Sequence, residues 1–377
     1  MITKLGTVIT EYSVRNKSKE NIPVYSVTNE QGFCTGYFSK EVASKDRTTY
    51  KIVPQGYFAY NPSRINVGSV DWQDCEERVI VSPLYVVFGV DKKLDQQYLL
   101  HYLKSDIART YINALATGSV RDNLKFSVLQ ELPINLRPID EQRKLASVLD
   151  YVDSVIGLRN EELSTLDTLV KSRFVELFGV YPLNPKGWET ATIRDIVTDV
   201  RYGSSRPAVD GGKYPYLRMN NITYGGELDL TDTKRIDIPD NELDKCTVRR
   251  GDVLFNRTNS KELVGKTCVY NRDEMMVLAG FVIRVRVTER ILPEFLSAFL
   301  NTDFSKRMLL GMCKAAIGQA NINAQEMQDI GIYLPPTELQ RQFVQFKEQT
   351  DKSKLAVQKS LEELEILKKS LMQQYFG

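Results

Sequence analysis

Two stretches of the chain carry apolar residues at heptad spacing, and they organise the whole. After Pro138, Leu149, Ile156, Leu163, Val170 and Leu177 recur every seven residues. Leu145, Val152 and Leu166 form a second track, interrupted by Arg159 and Arg173. Spacing of this a/d kind predicts a helix that presents one seam to another helix. After Pro336 the pattern returns in Phe343, Val357, Leu361, Leu364, Leu371 and Tyr375, but with Lys347, Lys354 and Lys368 on the seam. Each predicted helix spans about 38 residues, or roughly 57 Å at 1.5 Å per residue. A small domain does not need that length for its own core. The pair is therefore expected to form an antiparallel coiled coil holding two bodies apart; a helix docked on its own body is the plainer alternative. Asp140 is the predicted N-cap of the first helix.

Ahead of each helix the apolar runs shorten to strand length. The first body reads as strands at Val24–Val27, at Tyr57–Tyr60 and from Val79 to Phe88, the last broken by Ser82-Pro83. Helices at Gln96–Lys104 and Ile107–Leu115 and a strand near Leu132–Leu136 follow. The second body repeats the order: strands Val253–Phe255 and Val282–Val287, helices near Glu294–Leu300 and Phe304–Met312, and a strand at Ile330–Leu334. It begins at Tyr181-Pro-Leu-Asn-Pro-Lys-Gly-Trp188, whose prolines and glycine break the preceding helix.

The order repeats because the sequence does. Residues 117–179 and 315–377 align without a gap at a distance of 198, so that Asn123 matches Asn321 and Phe178-Gly179 matches Phe376-Gly377. Further back the register slips by a few residues, and Gly56–Asn61 lies opposite Gly251–Asn256. A solenoid repeat runs to about 20–50 residues, so this is a duplicated unit of domain size. The expected fold is α+β: two similar mixed α/β bodies, 1–138 and 181–336, separated by helices at 139–180 and 337–377, with a pseudo-twofold internal repeat.

Composition narrows the function. At 377 residues and 42% hydrophobic the chain can bury two cores. Its first residues lack the apolar core of a signal peptide and no run of about 18 apolar residues appears, so a soluble protein without membrane contact is expected. The five cysteines are scattered with no Cys-x-x-Cys pair. They are expected to be reduced, mostly buried thiols of a cytoplasmic protein. His101 is the one histidine, which nearly excludes Ser-His-Asp and Cys-His catalysis and His-rich metal sites. It lies in a helical segment and reads as a packing or solvent-facing residue. The chain is poor in catalytic parts.

A net charge of +2 does not announce a nucleic-acid protein, but the local balance is uneven. Residues 227–244 are acidic, with Arg201, Arg206, Lys213 and Arg218 before them and Lys245, Arg249, Arg250, Arg257 and Lys261 after. Such segregation permits a phosphate-facing surface, and equally an ordinary solvated one. Val264-Gly-Lys-Thr267 resembles the tail of a Walker A loop, but Ser260 stands where the pattern needs glycine and a strand-like run follows. Asn61-Pro-Ser-Arg64 lacks the second proline and the aromatic of the amino-methyltransferase motif. Asp140-Glu141 sits at a helix start, where acidic residues suit the dipole, and needs no nuclease reading.

Several loops carry side chains suited to phosphate and base-edge contact. In the first body these are Asn61, Arg64, Asn66, Arg121, Asn123 and Lys125. In the second they are Arg201, Ser204, Ser205, Arg206, Arg218, Asn220, Asn221, Asn256, Arg257, Asn259, Lys261, Gln319 and Asn321. The shared pairs Asn61/Asn256 and Asn123/Asn321 also admit a structural role, because asparagine tolerates turn conformations. Loops used for different readouts should differ between copies, and these mostly do.

In Leu136-Arg-Pro-Ile-Asp-Glu-Gln-Arg143 and Leu334-Pro-Pro-Thr-Glu-Leu-Gln-Arg341, and in Leu169–Gly179, the chain resembles the strand-to-helix junction and the helix end of the specificity subunit of a type I restriction–modification system. Gly187-Trp188 and Arg250-Gly-Asp-Val-Leu-Phe255 resemble the start and middle of its recognition domain. The first body departs by starting at Lys4-Leu-Gly6, without Pro-x-Gly-Trp, and the second junction reads Glu-Leu-Gln where Glu-Gln is usual. The resemblance implies a non-catalytic reader of double-stranded DNA in which each body, a target recognition domain, contacts half of a split site. The helices would serve as ruler and as dock for two modification subunits that methylate adenine with S-adenosylmethionine. A restriction subunit would bring ATP and Mg to the complex, so no cofactor is expected on this chain. Half-sites about one helical turn apart, roughly 34–36 Å, would let both bodies reach one face of the duplex. The specificity subunit of another multisubunit restriction system and a coiled-coil adaptor without nucleic acid remain as alternatives; a methyltransferase or nuclease lacks its motifs.

Overall fold

The structure, a computed structural model, describes residues 1–18, 20–36, 47–116, 123–316 and 319–377. It divides into two compact units, Met1–Glu161 with Gln358–Gly377, and Glu162–Val357. The long helices run Ile139–Phe178 and Thr337–Phe376, 40 residues each. Each unit therefore holds the beginning of one long helix and the end of the other. Pro138 and Pro336 precede the first helical residues, where a missing N–H costs nothing. Asp140 lies inside the first turn rather than at the N-cap, and still opposes the positive end of the helix dipole.

In the first unit a four-stranded antiparallel sheet has the spatial order Ile9–Glu11, Val86–Val90, Phe58–Tyr60, Val70–Trp72. Successive side chains point to opposite faces, so Phe58, Tyr60 and Phe88 enter one core while Ala59 and Val87 enter another. The run from Val79 to Phe88 splits into Arg78–Val81 and Val86–Val90, which belong to different sheets. In place of Val24–Val27 the strand is Ser26–Thr28, paired with Gly32–Cys34. Helices Gln96–Lys104 and Asp106–Ala116 follow, and Pro133–Asn135 pairs antiparallel with Ile2–Lys4. The end of the second long helix completes this core: the Phe376 ring lies 5.0 Å from Tyr98 and 5.6 Å from Tyr102.

The second unit repeats the plan. Its antiparallel sheet has the order Val197–Tyr202, Val282–Val287, Val253–Asn256, Thr267–Val269. Val253, Phe255, Ile283 and Val285 face one core, and Leu254, Cys268 and Val282 the other. Glu189–Thr192 pairs with Gly331–Leu334 as the first strand pairs with Pro133–Asn135. A second sheet, ordered Lys234–Ile236, Tyr214–Leu217, Met276–Leu278, Thr247–Val248, is mixed, its middle pair being parallel. Phe178, the counterpart of Phe376, is buried with its ring 4.8 Å from Phe295 and 5.7 Å from Phe343.

Within each unit the two long-helix segments run antiparallel. In the second unit the first helix meets Lys354 at Asp167 and Phe343 at Phe174. In the first, Asp153 pairs with Lys368, and Leu145 and Leu149 share a core with Leu371 and Tyr375. The seam residues Leu145, Leu149, Val152, Ile156, Leu163, Leu166, Val170 and Leu177 are all buried or half-buried, and so are Phe343, Val357, Leu361, Leu364, Leu371 and Tyr375. The seam lysines are matched by carboxylates. Lys354 lies 2.8 Å from Asp167 and 2.7 Å from Glu227, and Lys347 lies 2.5 Å from Asp351. Burial alone pulls the Lys354 ammonium down, but the two carboxylates outweigh it and hold the group at about 12.

His101 is buried and its Nε2 lies 2.8 Å from Asp150 Oδ1 of the first long helix, a packing role. Of the five free cysteines only Cys246 and Cys268 are buried, fewer than expected; Cys34 and Cys313 are half-buried and Cys75 is exposed. Among the described residues no helix is long and apolar enough to cross a membrane.

Candidate nucleic-acid interface

In the first unit, strand Phe58–Tyr60 ends at Asn61, whose Oδ1 accepts from the Ser63 N–H at 3.1 Å. The turn passes into the 3-10 helix Ile65–Val67, which Gly68 ends at φ +93°, a conformation that favours glycine. The segment Asn123–Lys125 is tied to this loop. Leu124 N–H donates to the Pro62 carbonyl at 3.0 Å, and Ser63 Oγ donates to Asn123 Oδ1 at 2.5 Å. Asn61, Arg64, Asn66, Asn123 and Lys125 thus come together from two segments, and all but half-buried Asn61 are exposed. Arg121 lies outside the described residues.

The second unit ties the corresponding segments by equivalent bonds, but as a short antiparallel strand pair, Thr258–Asn259 against Asn321 and Ala320, in place of the turn and 3-10 helix. Thr258 Oγ1 donates to Asn321 Oδ1 at 2.9 Å, the counterpart of the bond from Ser63 to Asn123. Asn256 is fully buried; in the amide orientation that satisfies both its ends it donates to the Thr258 carbonyl and accepts from Asn259 Nδ2, each at 2.9 Å. The shared asparagines therefore shape the loops, and Asn256 is closed to any ligand. The positions between them differ: Pro62, Arg64 and Asn66 stand where the second unit has Arg257, Asn259 and Lys261. Gln319 contributes backbone pairing to this edge; its side chain is outside the described residues.

Two aromatic residues that sequence reasoning missed join this edge. The Arg257 guanidinium lies over the Tyr202 ring, 4.8 Å from its centroid. Arg257 N–H donates to the Phe281 carbonyl at 3.0 Å. Tyr202 and Phe281 are 42% and 53% exposed, high for rings on a folded surface. The available signal was composition: Tyr202 follows Arg201 at a strand end, and Phe281 follows a glycine.

The remaining candidates are less free. Arg201 pairs with Asp199 at 2.8 Å, Arg206 with Glu242 at 2.7 Å and Arg218 with Asp232 at 2.9 Å. The acidic stretch thus neutralises some of its basic flanks within the unit. The Arg206 guanidinium holds the Glu242 carboxyl below the usual range. Burial raises Asp199, but Arg201 and Arg284 outweigh it and keep that carboxyl low. Ser204 is buried and its Oγ accepts from Arg206 N–H at 3.2 Å, while Ser205 is exposed. Arg218, exposed Asn220 and buried Asn221 lie at a separate 3-10 turn, Met219–Asn221. Asn221 accepts from Arg218 N–H and donates to the Asp229 carbonyl. Lys266 braces that turn by donating to Met219 O at 3.0 Å and Ile222 O at 2.5 Å. The lysine of the Walker-like tetrapeptide is thus a buried strut, and burial lowers its pKa.

Comparison with known proteins sets this geometry in a family. Residues 4–168 and 185–366 match the family model described as type I restriction modification DNA specificity domain. The chain is 25% identical over 279 residues to the type I restriction enzyme EcoKI specificity subunit of Escherichia coli (strain K12), covering 70% of this chain and 60% of that one. It is 22% identical over 275 residues to the type I restriction enzyme StySPI specificity subunit of Salmonella potsdam, covering 69% and 59%. The matches span about 60% of the length of these two relatives. A solved chain from a type I R-M system, studied for complex assembly and conformational transition, superposes with a TM-score of 0.63 at 19% identity, covering 100% of this chain and 97% of that one. The S subunit of a type I restriction-modification system from M. genitalium gives 0.56 at 15%, covering 100% and 96%. At these identities the structural likeness is one of fold.

Proposed function

The chain belongs to the type I restriction modification DNA specificity family, and from that premise we propose that it is the DNA-reading subunit of a restriction–modification complex. Each unit contacts one half of a split, asymmetric target on double-stranded DNA. The long helices set the distance between the half-sites and dock two modification subunits. Those partners bring S-adenosylmethionine and methylate adenine; a restriction subunit joins through the complex and brings ATP and Mg. The chain itself catalyses nothing and works in the cytoplasm.

One observation carries this reading. Corresponding segments of the two units are fastened by the same hydroxyl-to-asparagine bond, yet they display Pro62, Arg64 and Asn66 in one unit and Arg257, Asn259 and Lys261 in the other. A reader of two different half-sites needs a constant frame and a variable rim, since base edges are told apart by the donors and acceptors presented to them. An adaptor without nucleic acid has no use for that difference.

The test is to combine the chain with its modification subunit, offer a random-sequence duplex library with S-adenosylmethionine, and sequence what is methylated. The expected result is one bipartite motif with an unread spacer, and no methyl transfer, ATP hydrolysis or cleavage by the chain alone. Methylation without a motif, or by the chain alone, contradicts the proposal; absence of any DNA binding by the complex favours the adaptor.

A further inference from the structure

We propose that Arg257 is a base-reading residue of the second unit and that the base it reads is a guanine. The inference rests on the DNA-reading role proposed above and deepens it. It starts from which cations are free. Arg201, Arg206 and Arg218 each have a carboxylate beside them, which offsets part of their charge and takes up some of their donors. Among the described residues Arg257 has no carboxylate partner, so its charge is not offset within the unit; its Nε is buried and unpaired, as that of Arg218 is.

The side chain is also held in place before any ligand arrives. Its guanidinium rests on the Tyr202 ring at 4.8 Å. Its backbone is fastened on both sides, N–H to the Phe281 carbonyl at 3.0 Å and carbonyl to the Ile322 N–H at 2.9 Å. An arginine fixed in this way loses little rotamer freedom on binding, which is how a site gains selectivity rather than mere attraction. Neighbouring Lys261 is exposed, and an ammonium is better suited to a phosphate, where a point charge suffices.

The chemistry of the fork then selects the base. A guanidinium presents planar, parallel donors, and in the major groove guanine alone offers two adjacent acceptors, O6 and N7. The corresponding position of the first unit is Pro62, which has no donor to offer. The guanine therefore belongs to the half-site read by the second unit.

The experiment uses the full chain in complex with its modification subunit. Binding is measured on duplexes in which each base pair of the second unit's half-site is replaced in turn, for the wild type, Arg257→Ala and Arg257→Lys. In the wild type one G·C pair should be replaceable only with about 10- to 100-fold loss of affinity. Arg257→Ala should bind all four pairs equally there while still discriminating at the other positions, and Arg257→Lys should not restore the preference. A wild type with no G·C-selective position in that half-site overturns the proposal whether or not the variants fold. Uniform weakening by Arg257→Ala with every preference kept also overturns it, because that is the signature of a phosphate contact. Loss of all sequence preference by the wild-type complex would defeat the DNA-reading role itself, an outcome distinct from either.

Discussion

Gln142 and Gln340 occupy matching turns of the two long helices and make the same set of hydrogen bonds. Gln142 accepts from Asp95 N–H at 2.9 Å and donates to the carbonyls of Lys93 and Arg137, both at 2.8 Å. Gln340 accepts from Leu292 N–H at 2.8 Å and donates to the carbonyls of Arg290 and Pro335, at 3.2 and 2.8 Å. Both side chains are fully buried. Each clamps the start of a long helix to the loop that opens a body helix. Replacing either with methionine keeps the volume but strands buried donors and acceptors, so each change should cost about 2–4 kcal/mol. Denaturant unfolding of the two variants should give similar losses; a loss near zero in either would deny the clamp.

Phe376 and Phe178 form a second matched pair, each finishing a core begun by residues far away in sequence. Phe376→Ala should destabilise its unit by about 3–5 kcal/mol. Hydrogen exchange should quicken at Gln96–Lys104, beneath Phe376, and stay unchanged at Pro293–Leu300; Phe178→Ala should do the reverse. Equal effects of both variants on both segments would contradict the division into units.

Lys306 gives a pH test. Burial, with Lys266 and Lys171 nearby, lowers its pKa from 10.5 to about 8. Between those values the unfolded chain holds the extra proton, so stability rises with pH across that window. The wild type should therefore gain on Lys306→Met in unfolding free energy from about pH 8 to 10.5. A difference that stays flat with pH would mean that the amine keeps its ordinary pKa.

The helix pair should act as a ruler. Adding one heptad to each long helix, after Glu161 and after Val357, preserves the a/d seam and adds about 10 Å. The unread spacer of the methylated motif should lengthen by about three base pairs at 3.4 Å each, with both half-sites unchanged. An unaltered spacer would show that the helices do not set the distance. Leu163→Asp, which puts an unpaired charge into the seam, should cost about 3 kcal/mol in thermal or denaturant unfolding.

Much of the architecture was legible because it is periodic. The heptads of Leu149 to Leu177 and the doubled Phe-Gly ends announce the helices and the repeat. Strands such as Phe58–Tyr60 and Val253–Asn256 are buried on both faces, so polar alternation does not mark their limits. Lys354 looked like a defect of the seam, because one of its partners, Glu227, lies 127 residues away. Nor did spacing show that Asn256 is buried while Arg257 beside it has no carboxylate partner among the described residues. Periodicity reports which face of an element is apolar; it does not report which polar residue finds a partner across the fold.

If each unit independently reads one half of the target, exchanging one unit exchanges one half-site. The most direct measurement is to exchange residues 182–335 for the corresponding domain of another family member and map the methylated motif of the resulting complex. One half-site should change to that of the donor, with the other half-site and the spacer intact. A change in both half-sites, or in neither, would contradict it.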